Sequence, residues 1–165
     1  WAGAGVASAG LILLGGRVAF ARAPRSAPLE AGTRISPHFT YGEFAQPGIP
    51  GVPYPAAWVE TRLKPLASAL EAIRAELGGV TIRITSGYRG LAYNRAIGGA
   101  TLSQHVQGRA ADIVVPGVSP QRVHEAALDL ATAGKIKIRG LGYYPGRFVH
   151  VDIRNTSTLV RWTGK

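Results

Sequence analysis

The sequence contains no cysteine and no methionine, and only nine of its 165 residues are acidic. Without thiols there is no disulfide framework, no thiolate zinc cage and no cysteine nucleophile. Without a methionine there is no initiator residue, so a processed product or a fragment of a longer protein is expected. The scarcity of carboxylates against 19 Lys and Arg leaves a formal charge of +10. Such a charge draws a protein towards polyanions: nucleic acid, anionic lipid or the acidic polymers of a bacterial envelope. The basic residues are dispersed, however, with no long run of one sign, so a compositional bias towards Ala, Gly and Arg accounts for the charge equally well. No aromatic-rich basic platform accompanies it, and nucleic acid is not an expected partner. Nor is there a full-length apolar span. Trp1 to Gly16 carries no charge but is interrupted by Arg17, short of the ~20 residues that a spanning helix needs.

Residues 1–22 therefore read as an Ala- and Gly-rich hydrophobic segment: the remnant of a signal or anchor, or an assembly helix associating with a membrane or a larger particle. Residues 23–34, with Pro24, Pro28 and Gly32, read as a linker, and residues 35–165 as one domain. Pro37 to Phe44 suggests a short strand or turn, and Gln46 to Tyr54, rich in Pro and Gly, a loop. Val59, Leu63, Leu66, Leu70, Ile73 and Leu77 then paint one helical stripe, which Gly78-Gly79 ends. Pro65 inside it predicts a kink or restart, because a mid-helix proline costs ~3 kcal/mol. Val80 to Thr85 reads as a strand running into the turn Ser86-Gly87-Tyr88-Arg89, and Leu91 to Ile97 as a short helix. A strand at Ala111 to Val115 precedes a helix capped by Ser119-Pro120 and running to about Gly134. Arg139 to Tyr144 and Phe148 to Arg154 form a hairpin across Pro145-Gly146, and Leu159 to Trp162 adds an edge strand. The fold class is α+β, a mostly antiparallel sheet flanked by helices.

Two stretches carry chemistry. His105 and Asp112 are separated by six residues that include Gly108, so a turn followed by a strand brings both to one ion. In Phe148 to Arg154, Val149, Val151 and Ile153 alternate with His150, Asp152 and Arg154, the period of a half-buried strand, so His150 and Asp152 share a face. Two His and one Asp leave a coordination position open, as a catalytic zinc requires. The plain alternative is two core histidines and a capping aspartate. His38 and His124 read as surface residues, and position 128 is Leu, so no two-histidine helical zinc motif is present.

In order and spacing, Ser86-Gly87-Tyr88-Arg89, Ser103-x-His105-x-x-Gly108-x-Ala110-x-Asp112 and Gly142-Tyr143-Tyr144-Pro145 leading to Phe148-Val149-His150-Val151-Asp152 resemble the zinc D-Ala-D-Ala carboxypeptidase family of peptidoglycan peptidases, in its His-x-Asp branch. The resemblance covers about residues 35–162. It implies that His105, Asp112 and His150 hold Zn2+, that Arg89 faces the substrate and binds its carboxylate or polarises the scissile carbonyl, and that Ser103 lines the substrate cleft. It implies a peptidoglycan peptide as substrate and an extracytoplasmic location, in the periplasm or envelope or on a phage-like particle. Several members carry an acidic general base three residues before the second His, where this chain has Arg147.

Among so few carboxylates the remaining candidate for the base is Asp152, on the face of His150. Glu60, Glu71, Glu76, Glu125 and Asp129 fall on solvated helix faces. The other reading of Asp152 is an ion pair with Arg154 or Arg89, or a hydrogen bond that orients a ligand imidazole. The expected chemistry is metal-assisted amide hydrolysis, with Asp152 relaying the proton of water to the leaving amine. The rival is a zinc- or wall-binding assembly module on the same fold without turnover.

Overall fold

A computed structural model describes residues 29–45 and 53–164. The 1–22 segment, half of the 23–34 linker and nearly all of the loop expected at Gln46 to Tyr54 lie outside the described residues. The elements are α1 (Tyr41–Ala45), α2 (Lys64–Glu76), β1 (Arg83–Ser86), α3 (Leu91–Ala96), β2 (Ala110–Val114), α4 (Pro120–Thr132), β3 (Gly140–Tyr144), β4 (Phe148–Asp152) and β5 (Val160–Thr163). The strands form one sheet in the order β1-β2-β4-β3-β5. Every pairing is antiparallel except that of β3 with β5. This is the expected α+β architecture.

The apolar stripe forms where the periodicity puts it, but not as one continuous α-helix. A 3₁₀ turn at Ala56–Trp58 and a π turn at Val59–Leu63 lead into α2, whose first turn holds Pro65. The Lys64 N–H still bonds back to the Val59 carbonyl, and Pro65, which has no N–H to donate, sits where the wide π turn gives way to α2. Leu63, Leu66, Leu70 and Ile73 are buried against one face of the sheet together with Val123, Ala127 and Leu130 of α4. The Ser119 side chain caps α4 by accepting from the Arg122 N–H at 3.2 Å. From the sheet, Ala111, Ile113, Leu141, Val149 and Val151 complete this layer. Each fully buried aliphatic side chain contributes about 1.5–3 kcal/mol.

Three local expectations are revised. β1 starts at Arg83, three residues later than its β-branched run, and its register shifts between Ile84 and Ser86. β4 is buried on both faces, not half-buried, because the face opposite the helices carries packed polar groups. Around Pro37 to Phe44 the chain makes a single bridge, Arg34 to Thr40, and then turns into α1. Glu43 accepts from the Thr40 N–H and hydroxyl at 2.7 and 2.9 Å, half of a capping box legible in Thr40-x-x-Glu43. Just before it, the carbonyls of Ala31 and Thr33 accept from Gly42 and Tyr41 at 2.8 Å. No helix among the described residues is long and apolar enough to cross a membrane.

Glu71 is not on a solvated face. It accepts from Ser36 Oγ and the His38 N–H, each at 2.7 Å, and meets His38 Nδ1 at 2.8 Å, tying residues 36–38 to α2. Burial works against its charge, but these hydrogen bonds prevail and hold the carboxyl below the usual range. A lowered folded pKa means that the added stability is present above the unfolded value and disappears as pH falls through the folded one. Glu71→Gln should therefore cost about 1–2 kcal/mol near neutral pH. Urea denaturation should show that gap closing in acid; a pH-independent gap would contradict the assignment.

Candidate metal centre and cleft

The sheet register builds the centre. Ser86, Asp112, His150, Gly142 and Trp162 are successive partners across β1, β2, β4, β3 and β5. Side-chain alternation sends this row to the face away from α2 and α4. His105 joins it from the loop before β2. That loop turns at Gly108 with φ +63°, where a Cβ would press on the Tyr54 and Trp58 rings. Tyr54 Oη donates to the Gly108 carbonyl at 2.7 Å and fixes the turn.

His105, Asp112 and His150 are all buried. One ligand atom from each can be chosen so that all lie within 4.8 Å of one another. The protons on the two rings are set from behind. His105 Nδ1 is 2.7 Å from the Gly87 carbonyl, which can only accept, so Nδ1 carries the hydrogen and Nε2 a lone pair. His150 Nε2 is 3.0 Å from Asp152 Oδ2, which leaves the Nδ1 lone pair facing inward. His105 Nε2, His150 Nδ1 and Asp112 Oδ1 thus converge with separations of 3.2, 3.2 and 2.8 Å. Three lone pairs at this distance repel unless positive charge sits among them. Two imidazoles and a carboxylate are also a donor set that suits a borderline divalent ion such as zinc.

Electrostatics agree. Burial opposes ionisation of Asp112, but the two imidazoles beside it, His105 and His150, outweigh burial and hold the carboxyl far below the ordinary carboxylate range. Burial would lower the His150 pKa, yet the carboxylates Asp112 and Asp152 at its two nitrogens raise it. Both shifts favour positive charge among the three groups.

Behind and beside the donors stand two arginines. Arg89 follows β1; its Nη2 donates to Asp112 Oδ2 and its Nε to Ser86 Oγ, both at 2.9 Å. Ser103 Oγ accepts from the His105 N–H at 3.3 Å. Arg154 holds Asp152. The centre opens on a cleft of about 480 Å³, whose lining includes Arg89, Ser103, Tyr144, Phe148, Arg154 and Trp162. Tyr144 and Phe148 are stacked at 4.2 Å, and Trp162 Nε1 donates to Tyr144 Oη at 3.2 Å.

A family model described as Peptidase M15 matches residues 37–152. The chain belongs to the peptidase M15 family. Similar proteins include the peptidoglycan L,D-endopeptidases MepK of Escherichia coli strain K12 and of Shigella flexneri. Each is 34% identical over 77 residues, covering 43% of this chain and 39% of the relative. The matched stretch thus spans well under half the length of these curated relatives.

Within this M15 domain the residues singled out from sequence are brought together. His105, Asp112 and His150 converge, and Arg89 and Ser103 line the same cleft. Asp152 stands apart from the cleft. It shares the face of His150 as alternation requires, but it is fully buried behind the ring, on the nitrogen opposite the converging donors. Burial raises its pKa, while hydrogen bonds from Arg154 and His150 prevail and bring it down to about 2. Trp162 and Tyr144 were not legible as cleft residues, because the parallel β3–β5 pairing that brings Trp162 in has no local signature. Arg154 is where the second reading of Asp152 put it, in an ion pair with that carboxylate, and it continues the period-two row of His150 and Asp152.

Gly140 pairs with Asp152 across the hairpin, and a Cβ on it would overlap the carboxylate. Gly140→Ala should destabilise the fold by about 1–3 kcal/mol, as overpacking does. Unchanged stability in denaturant would show that Asp152 is not seated against that strand.

Proposed function

We propose that this M15 protein is a zinc-dependent peptidase that hydrolyses amide bonds in the stem peptides or crosslinks of bacterial peptidoglycan, outside the cytoplasm. The observation that carries this reading is the convergence of three buried lone pairs on the wall of an open cleft. His105 Nε2, Asp112 Oδ1 and His150 Nδ1 would hold the zinc. When bound, zinc supplies Lewis acidity towards water and towards the scissile carbonyl.

The remaining roles belong to the chain. Arg89 fixes Asp112 and brings a guanidinium to the cleft wall, suited to a substrate carboxylate or to the developing oxyanion. Ser103, at the cleft edge, offers a hydroxyl to the substrate backbone. Asp152 we reassign from general base to positioning residue, because its oxygens already accept from His150 and Arg154 and it has no exposed surface. The likeness to MepK, an L,D-endopeptidase by name, supports a crosslink over a terminal D-residue as the scissile bond. The +10 charge suits the acidic polymers of a wall. Residues 1–22 would tether the 35–165 domain, through the 23–34 linker, to a membrane or a phage-like particle.

A second reading, a wall-binding assembly module without turnover, has one observation in its favour. Among the described residues the cleft lining holds no carboxylate besides Asp112, and Arg147 occupies the position of the usual acid.

Digestion of purified sacculi with and without a zinc chelator, read by mass spectrometry, separates the two. The peptidase reading predicts chelator-sensitive fragments whose masses name the bond. It also predicts that Arg89→Ala lowers kcat by about 10²–10³-fold, as loss of an oxyanion donor does. Zinc-loaded protein that binds sacculi and releases nothing would establish the assembly role instead.

A further inference from the structure

The M15 match ends at Asp152, yet the structure continues to build the centre beyond it. Arg154 grips Asp152 through three of its nitrogens. Its Nε reaches Oδ1 at 2.9 Å, its Nη2 reaches Oδ2 at 2.6 Å, and its backbone N–H donates to Oδ1 at 2.9 Å. The same Oδ2 accepts from His150 Nε2. The Arg154 guanidinium also lies over the Trp162 ring, 5.2 Å from its centre. That indole in turn packs 5.1 Å from the His150 ring centre. It can lie there only because β3 has Gly142 at the row position between β4 and β5; a Cβ on Gly142 would press into the indole at 2.6–2.7 Å.

His150 is therefore confined by its pairing in the sheet, by Asp152 on one nitrogen and by Trp162 against its ring. Each restraint has a physical consequence. A fully buried carboxylate without a countercharge is strongly unfavourable, so Asp152 stays behind His150 only while Arg154 pairs with it. If Asp152 turns away, His150 Nε2 loses its acceptor, and nothing then keeps the ring hydrogen on that nitrogen and the lone pair on Nδ1. If the indole is lost, the imidazole gains room to rotate about its side-chain bonds. Either change takes one of the three converging lone pairs out of register.

We propose that Arg154 and Trp162 are positioning residues that hold the His150 imidazole, through Asp152 and by ring packing, with its Nδ1 lone pair aimed at His105 and Asp112, and so set the affinity of this trio for a divalent cation. The inference rests on the metal reading above and concerns residues past the end of the family match. Neither residue need touch the substrate to act in this way.

The test is zinc affinity of the full chain by competition with a chromophoric chelator, for wild type, Arg154→Ala, Arg154→Lys, Asp152→Asn, Trp162→Ala and the Arg154→Ala/Asp152→Asn pair. Circular dichroism and melting of the metal-free proteins report the fold. Arg154→Ala and Trp162→Ala should each weaken zinc by about 10–100-fold while remaining folded, the range found when a ligand's outer partner is removed. Arg154→Lys keeps the charge but loses the two-pronged geometry and should fall between wild type and Ala. It carries the test if Arg154→Ala does not fold. The double variant should bind no more weakly than the worse single, because both changes break one chain of contacts. Affinity within about twofold of wild type in Arg154→Ala and Trp162→Ala, or fully additive losses in the double variant, would overturn the proposal. A wild type that binds no zinc overturns the metal reading itself, which keeps the two failures distinct.

Discussion

His105 Nε2, His150 Nδ1 and Asp112 Oδ1 bring three lone pairs together across 2.8–3.2 Å when each ring keeps its hydrogen on the far nitrogen. An arrangement of that kind is held against its own repulsion, and much of the molecule can be understood as the frame that holds it. The carbonyl of Gly87 fixes the hydrogen of His105 on the far nitrogen, and Asp152 does the same for His150. Arg89 and Arg154 stand at the two ends, so that Arg89, Asp112, His150, Asp152 and Arg154 form one continuous chain of contacts along the sheet. An arginine closes each end of that chain and an imidazole separates its two carboxylates, which is why two carboxylates are tolerated in a buried layer.

The sheet makes this possible by separating packing from chemistry. One face is sealed by α2 and α4 over Ala111, Leu141, Val149 and Val151, and it supplies the stability. The other face aligns Asp112, His150, Gly142 and Trp162 in a single row of partners. Register ties the two together, since a slip of one residue in β4 would exchange the valines with His150 and Asp152. The glycines of β3 belong to the same design: Gly140 leaves room for a carboxylate and Gly142 for an indole.

Much of this was legible in the sequence because it is written in local periodicities. The alternation in Phe148 to Asp152 gave the shared face of His150 and Asp152, and the spacing of His105, Gly108 and Asp112 gave a turn feeding a strand. The proline in the first turn of α2 and the Ser119 cap follow from backbone chemistry alone. What could not be read depends on contacts between distant segments. Sharing a face with His150 left open whether Asp152 looked into the cleft or behind the ring, and Arg154 together with Gly140 decides it. Glu71 had a solvent-facing pattern, yet it binds residues 36–38, more than thirty positions earlier. Trp162 enters through a parallel pairing that no hairpin rule anticipates.

The most direct test of the central claim is anomalous scattering at the zinc edge from crystals of the full chain grown with equimolar zinc. The account predicts one strong peak in contact with His105 Nε2, Asp112 Oδ1 and His150 Nδ1, with Asp152 bound to His150 and Arg154 and making no contact with the metal. Zinc bound elsewhere while these three residues stay in mutual contact without it, or zinc ligated by Asp152, would contradict it.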